Sequence, residues 1–491
     1  MTSEQIYDVI VIGAGPPGWT ASIRLVKNGM SVALVENELV GGECNYWACV
    51  PSKALLRPPE ALTEASEVEG AKQAIHGQLS AESVFSRRNK FVDNWDDSNM
   101  KAMVEKPGVV VVRGRGHLDG PRRVIVSSKD DDITLVANKA VVLSTGTRAR
   151  MDPKVKGLIE AQPWTNRNAT GAKKVPSSLA IMGDGPVGCE MAHAYSSLGT
   201  KVTLLSRDNG ILGRYEAFVG ERIMEVFKRR GISVRTNANV KEVERPNHKQ
   251  DHPPLNITFD DGTTITTQEL LVAIGRIPNT DKIGLETVGL KPADWLQVDD
   301  TCLVQGVEGD WLYALGDINH RALLTHIAKY QARACATAII ARANGTLTSS
   351  KSGGSRSSNS YEPWKKWVAT ADHMAVPQVI FTDPQIASVG FTEKGARSLN
   401  MNVRAVDYDM GAVVGAMLHT DGYSGHARII VDEDRHVIVG ATMIGPQVSD
   451  LLHSATIAVV GEVPLERLWH AVPSFPTTSE VWIGLLENYG L

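Results

Sequence analysis

A short apolar strand that runs directly into a glycine-rich turn and a helix occurs twice in this chain, and few folds accommodate that repeat. The first copy begins at Tyr7-Asp8-Val9-Ile10-Val11-Ile12, a β-branched run that reads as a buried strand. Gly13-Ala14-Gly15-Pro16-Pro17-Gly18 follows, then a helical pattern from Trp19 to Asn28, then a second strand Ser31–Val35 that ends in Glu36. Each position has a physical task. Gly13 permits the tight turn, Gly15 lets a pyrophosphate approach the backbone, and Gly18 lets helix and strand pack closely. The helix N-terminus faces the phosphates, and Glu36 accepts from ribose hydroxyls. Pro16 and Pro17 fall in the first turn, where a missing N–H costs nothing. The second copy has the strand Ser178–Met182, the turn Gly183-Asp184-Gly185-Pro186-Val187-Gly188, a helix from Cys189 to Leu198 and a strand Lys201–Leu205. Glu36 stands 23 residues after Gly13; the same count from Gly183 reaches Ser206, with Arg207 next. A carboxylate there would bond a 2′-hydroxyl and repel a 2′-phosphate, so Ser206 and Arg207 favour NADPH over NADH, with Arg214 as a second possible cation. The competing reading leaves Arg207 facing solvent.

Two such units need a long chain, and 491 residues suffice for about three domains. Hydrophobic content of 43% with 22% charged residues is ordinary for a globular protein, and a net charge of −4 offers no basic surface for nucleic acid. Five cysteines, at 44, 49, 189, 302 and 335, are too few and too scattered for a secreted disulfide scaffold. The N-terminus lacks a basic n-region and no 18-residue apolar run occurs, so export and membrane spanning are not expected and the expected location is the cytoplasm. Residues 345–361 are rich in Gly and Ser and read as a mobile surface loop.

The close cysteine pair lies in Gly41-Gly42-Glu43-Cys44-Asn45-Tyr46-Trp47-Ala48-Cys49-Val50-Pro51-Ser52-Lys53. At this spacing two cysteines can close a small loop at a helix start, where the helix N-terminus favours a thiolate and Pro51 suits the first turn. No further Cys or His flanks them at zinc-ligand spacing, so no metal site is expected. Alone, the pair reads equally as two buried, inert thiols.

With two dinucleotide units and a dithiol beside the first, the chain resembles the FAD-dependent pyridine nucleotide–disulfide oxidoreductases, and the resemblance runs from residue 7 to about 485. Its most specific part is Gly-Gly-x-Cys-x4-Cys-x-Pro-Ser-Lys. The resemblance implies an α/β fold: two Rossmann-like dinucleotide-binding domains, for FAD and NAD(P), and a C-terminal α+β dimerisation domain. The expected borders are 1–150 and 297–344 for the two FAD segments, 151–296 for NAD(P), 345–361 for the loop and 362–491 for dimerisation. Further landmarks match in order. Val141–Thr147, with Thr145 and Gly146, resembles the crossing that leaves the first FAD segment, and Gly114 and Gly116 resemble the turn past the adenine. Gly275 and Arg276 lie in the closing motif of the NADPH unit, and Gly316-Asp317 in the second FAD motif, whose acid binds the ribityl chain. Gly42 and Lys53 complete the implied FAD contacts. The implied relay passes hydride from NADPH to flavin, which opens a Cys44–Cys49 disulfide. By position Cys49 is the sulfur beside the flavin and Cys44 the outer sulfur that attacks substrate. Glu190 follows the second glycine turn, where the family places an acid that pairs with Lys53. A homodimer with active sites shared between subunits is implied.

At the C-terminus the chain departs from the pattern. Disulfide-reducing members carry His-Pro-Thr-x-Ser-Glu; here the stretch is Phe475-Pro476-Thr477-Thr478-Ser479-Glu480. Glu480 keeps the position of the orienting carboxylate, but Phe475 cannot move a proton, and such help is worth about 10²–10⁴-fold. His470 lies five residues upstream and is a candidate substitute, with His326 a weaker one. The bulky insert Asn45–Ala48 suggests an aromatic approach to Cys44. The leading expectation is therefore NADPH-driven electron transfer through Cys44 and Cys49 to a small-molecule or small-protein acceptor: a disulfide, a metal ion or a quinone. The alternatives are a dihydrolipoamide dehydrogenase of a 2-oxo acid complex, a soluble transhydrogenase and a redox-sensing flavoprotein. The first of these predicts NADH and an acid–base His, against Ser206, Arg207 and Phe475.

Overall fold

The structure, a computed structural model, describes residues 4–128, 131–246, 253–348 and 361–491. The expected mobile loop therefore lies for the most part outside the described residues. The chain folds as two compact units: residues 1–50, 89–148 and 276–373 form the first, and 51–88, 149–275 and 374–491 the second.

The first unit is built on the strand Gln5–Ile12, which lies between two parallel neighbours, Val32–Glu36 and Asp132–Leu143. Its apolar run is fully buried on both faces, as a parallel strand covered by helices requires. Val32–Glu36 pairs on its other side with Val110–Arg113. The strand Leu312–Ala314 joins the same sheet in parallel, with Leu312 opposite Val141, so a segment from late in the chain completes the sheet begun at residue 5. The helix Pro16–Val26 follows the central strand and packs against the 19-residue helix Thr325–Ala343. One core cluster is formed by Val9, Leu25, Leu34, Val142, Leu315 and Ile339.

The second unit holds a four-stranded parallel sheet in which Ser178–Met182 lies between Lys201–Leu205 and Glu269–Val272. A five-stranded antiparallel sheet, containing Gln378–Ile380, Gln385–Gly390, Val437–Gly445, His426–Asp432 and Val403–Asp409, forms its C-terminal part. The helix Cys49–Ser66 starts in the first unit and runs on into the second, where Leu55 and Leu56 join a core with Val84, Ile181, Tyr195 and Ile380. For this reason residues 51–88 count with the second unit. Among the described residues no helix is long and apolar enough to cross a membrane.

Candidate functional site

In the first unit the glycine turn has the geometry expected of a phosphate cradle. Gly13 has φ +100, and a Cβ there would stand 2.3 Å from the carbonyl oxygen of Ser144. On Gly18 a Cβ would stand 1.9 Å from the Gly13 carbonyl oxygen, so helix and strand touch through bare backbone. At Gly15 a Cβ would meet only Pro17 Cδ, at 4.0 Å, which leaves the middle of the turn open. Two distant stretches converge here. Gly42, ahead of the cysteines, presses on Gly15, where a Cβ would stand 2.8 Å from Gly15 Cα, and Gly316 lies against Pro17. The dithiol loop, the Gly-Asp motif and the first turn thus form one cradle. Glu36 is buried; its Oε2 accepts from the Ala14 amide and its Oε1 from the Glu38 amide, both at 2.8 Å. Burial lifts its carboxyl above the ordinary range while those two amides pull it down. Each of its oxygens keeps a second lone pair for a ribose hydroxyl. Ser144 Oγ is buried without a partner among the described residues, against the Gly18 backbone. A group with phosphate and hydroxyl functions, such as FAD, fits these donors and acceptors.

Asp317 opens a short 3₁₀ turn, Gly316–Asn319, whose Gly316 amide donates to Gln331 Oε1 at 2.9 Å. Thr147 Oγ1 donates to Asp317 Oδ2 at 2.7 Å, and burial raises the Asp317 carboxyl above its usual range. Arg276, expected to serve the NADPH unit, reaches this corner. Its Nε donates to Thr147 Oγ1 at 2.5 Å, and its Nη2 lies 3.6 Å from Glu43 Oε2, the residue before Cys44. Thr145 and Asn279 bond each other through Thr145 Oγ1 and Asn279 Nδ2. Gly146 and Gly275 have φ +66 and +113 and open surroundings, whereas Gly116 packs on Ile12 and Val35.

Cys44 lies in the short helix Gly42–Tyr46, and Cys49 is the first residue of Cys49–Ser66; both are half-buried. Cys49 Sγ stands 3.3 Å from the hydroxyl of Thr325, which begins the helix Thr325–Ala343. Thr325 immediately precedes His326 in the chain. Tyr46 is buried, with its hydroxyl on the Val40 carbonyl and its phenol pushed up to about 12 by burial. It anchors the insert, and Trp47, edge-on to it, is the more accessible of the two aromatics.

In the second unit the turn geometry repeats. Gly183 and Gly188 face the carbonyl oxygens of Ala273 and Gly183 at 2.4 and 1.9 Å from a would-be Cβ, and Gly185 is open. Ser206, expected to face a 2′-phosphate, is fully buried; its hydroxyl donates to Asp184 Oδ2 at 2.7 Å and accepts from the Asp208 amide. Its hydroxyl bonds within the loop, whereas Arg207 beside it is exposed. Lys53 Nζ donates to both oxygens of the buried Glu190, at 3.0 and 2.8 Å, the expected pair. Neighbouring Cys189 is fully buried and its thiol is pushed well up by burial, so it is a packing residue. Phe475 is 71% exposed, and Glu480 Oε2 is buried without a partner among the described residues. His470 is exposed, with its amide on the Arg467 carbonyl.

The chain matches two family models, "Pyridine nucleotide-disulphide oxidoreductase" over residues 7–332 and the dimerisation domain of the same family over 376–484. It is 29% identical to the dihydrolipoyl dehydrogenase of Chlamydia pneumoniae, covering 98% of this chain and 96% of that one. It is also 29% identical to that of Geobacillus stearothermophilus, covering 96% and 94%. Among solved structures it is similar to the HOCl-induced flavoprotein disulfide reductase RclA of Escherichia coli in its Cu(II) complex, with TM-score 0.80, 20% identity and coverage of 98% and 99%. LpdA of Mycobacterium tuberculosis is similar at TM-score 0.81 and 22% identity, with coverage of 99% and 100%.

Proposed function

The chain belongs to the pyridine nucleotide–disulphide oxidoreductase family, an enzyme family that uses FAD and a pyridine nucleotide, and we propose that it draws electrons from NADPH and delivers them through Cys44 and Cys49 to an acceptor that needs no proton from the C-terminal loop. Bound FAD would supply the exchange between a nicotinamide hydride and the electron pair of a disulfide. NADPH gives up two electrons and one proton; with one further proton from solvent, the Cys44–Cys49 bond opens to two thiols and NADP⁺ is released. Gly13, Gly15, Gly18, Gly42, Gly316, Glu36 and Asp317 would hold the flavin nucleotide, and Gly183, Gly185 and Gly188 the pyridine nucleotide. Arg207 favours the 2′-phosphate. Thr325 supplies a hydroxyl to Cys49, and Cys44 is the sulfur that meets the acceptor.

The observation that carries the choice of acceptor is the pairing of an exposed Phe475 with the unpartnered Glu480 Oε2. A disulfide acceptor must have its leaving thiolate protonated, and neither residue delivers that proton. A metal ion takes electrons without protons, and a quinone can take the two protons of the Cys44 and Cys49 thiols, so such acceptors fit better than lipoamide or glutathione disulfide. The names of the curated relatives favour a second reading, dihydrolipoyl dehydrogenase activity.

The test is steady-state turnover with NADPH and with NADH against lipoamide, glutathione disulfide, a benzoquinone, Cu(II) and Hg(II). Faster turnover with a quinone or metal ion than with either disulfide supports the proposal. Efficient NADH-linked lipoamide turnover would establish the second reading. In parallel, anaerobic NADPH followed by iodoacetamide should label Cys44 ahead of Cys49; label confined to Cys49 would reverse their roles.

A further inference from the structure

The Lys53–Glu190 pair is completed by a residue of the domain assigned to dimerisation. Phe381 follows the strand Gln378–Ile380, the first strand of the C-terminal sheet. Its amide donates to Glu190 Oε1 at 3.0 Å. Its ring centroid lies 4.8 Å from Lys53 Nζ. Glu190 therefore accepts three bonds, two from the ammonium and one from the Phe381 backbone, while the ammonium has carboxylate on one side and a ring face on another. The Glu190 side chain is 6% exposed and that of Lys53 35%, so the lysine is the more solvent-accessible partner. A long, unbranched lysine side chain has little directional preference of its own, and two fixed partners give it one. Behind Phe381, Asp383 pairs with Arg230 at the end of the helix Ala217–Arg229, which anchors the segment that presents the ring.

We infer that Phe381 is a positioning residue: its amide fixes the Glu190 carboxylate and its ring fixes the Lys53 ammonium, so that the C-terminal domain sets the direction of a charge used in electron entry. The inference rests on the proposed electron route through bound FAD and on Lys53 standing at the flavin, the contact that the family resemblance implies. A ring–ammonium contact of this kind changes an equilibrium by about 2- to 30-fold, depending on how far water is excluded. The amide bond to Glu190 survives any side-chain change, so substitutions at Phe381 isolate the ring.

The experiment uses the FAD-loaded dimer and the variants F381L, F381M, F381Y and K53M. Two readouts are taken. The first is stopped-flow loss of flavin absorbance with NADPH, which separates the limiting rate from the nucleotide Kd. The second is the rate of Lys53 acetylation by acetic anhydride, followed by mass spectrometry, which does not depend on turnover. F381L should lower the limiting rate by about 2- to 30-fold with Kd within about twofold, and should speed Lys53 acetylation several-fold, because the ammonium loses the ring over one face. F381Y should restore both to near wild type. F381M keeps the volume without the ring and carries the same expectation as F381L if that variant folds poorly. Unchanged rate and labelling in F381L and F381M, or F381Y as impaired as F381L, overturns the inference. A K53M enzyme reduced as fast as wild type would overturn both the inference and the role of Lys53 on which it rests.

Discussion

Phe475 and Glu480 form half of a proton-transfer pair. A buried carboxylate oxygen without a partner costs about 1–3 kcal/mol, and Glu480 Oε2 is in that position among the described residues. By the family resemblance a histidine at 475 would be oriented by Glu480 and would give the chain a proton donor. Phe475→His should therefore raise kcat/KM for lipoamide or glutathione disulfide by at least about 10-fold, toward the 10²–10⁴-fold that general acid–base help is worth. Turnover with a quinone should stay within about threefold. Parallel measurement with both acceptor types checks this, and equal gains for both would show that Phe475 acts through packing. At Arg207 the argument is one of charge. Because Ser206 is buried and bonded within its loop, Arg207→Glu should lower the ratio of NADPH to NADH kcat/KM by about 10- to 100-fold, the value of a hydrogen bond between charged groups. An unchanged ratio would place the 2′-phosphate elsewhere.

Each of the two strand–turn–helix elements carries two glycines at which a methyl group cannot be accommodated, Gly13 and Gly18 in the first and Gly183 and Gly188 in the second. In the second, Gly188 would bring a Cβ to 1.9 Å from the Gly183 carbonyl oxygen. Gly188→Ala must shift the helix Pro186–Ser197 away from its strand. FAD content should stay at one per chain while reduction by NADPH becomes at least about 10-fold slower, which flavin absorbance before and after NADPH would show. The same helix carries His193, fully buried, with both ring nitrogens unpartnered among the described residues. Burial, and secondarily the Arg230 charge, pushes it down to about 3 from an ordinary 6.5. The sign follows. Above pH 6.5 neither the folded nor the unfolded chain protonates it, and it has no effect. As pH falls from 6.5 toward 3 the unfolded chain takes a proton that the folded chain refuses, so stability drops by about 1.4 kcal/mol per pH unit, reaching ~5 kcal/mol. In His193→Leu that portion of the acid sensitivity should vanish, seen as urea midpoints that fall less between pH 6.5 and 4 than those of wild type. Identical pH profiles would show that the imidazole is reached by water. These elements also show what a sequence can disclose. The glycine turns were legible because their spacing is set locally: Gly18 packs on Gly13, and Gly188 on Gly183, within one turn. Pairing of Lys53 with Glu190 was legible only through a resemblance. Phe381 on Lys53, Arg276 on Glu43, and the burial of Ser206 were not legible, because each depends on which distant segment arrives beside it. Arg276 was read toward the pyridine nucleotide from its motif alone, which carried no sign of its bonds to Thr147.

At the scale of the whole molecule, the C-terminal domain leaves an apolar face uncovered: Met417 and Leu418 on the helix Val414–His419, with Val472 and Phe475, are 51%, 70%, 83% and 71% exposed. That helix packs closely against the Phe475 loop, since a Cβ on Gly415 would stand 2.1 Å from the Thr477 carbonyl carbon. In a family with a dimerisation domain, this face has the character of a surface that a second copy covers. Leu418→Asp should therefore shift the protein toward monomer in sedimentation velocity. If the sites are shared as expected, Phe475 of one protomer serves Cys44 of the other, and mixed dimers can show it. A chain carrying both C44S and F475H has no attacking sulfur, so its homodimer should not reduce lipoamide. In a mixed dimer with wild-type chains, the wild-type dithiol would meet the substituted loop of its partner, and lipoamide reduction should appear at about half the rate per dimer of the F475H homodimer. The measurement is lipoamide turnover of tagged, purified heterodimers. Activity no greater than that of the wild-type homodimer would mean that each dithiol works with the loop of its own chain, and the reading of Phe475 as the residue facing the acceptor would then have to be made within one protomer.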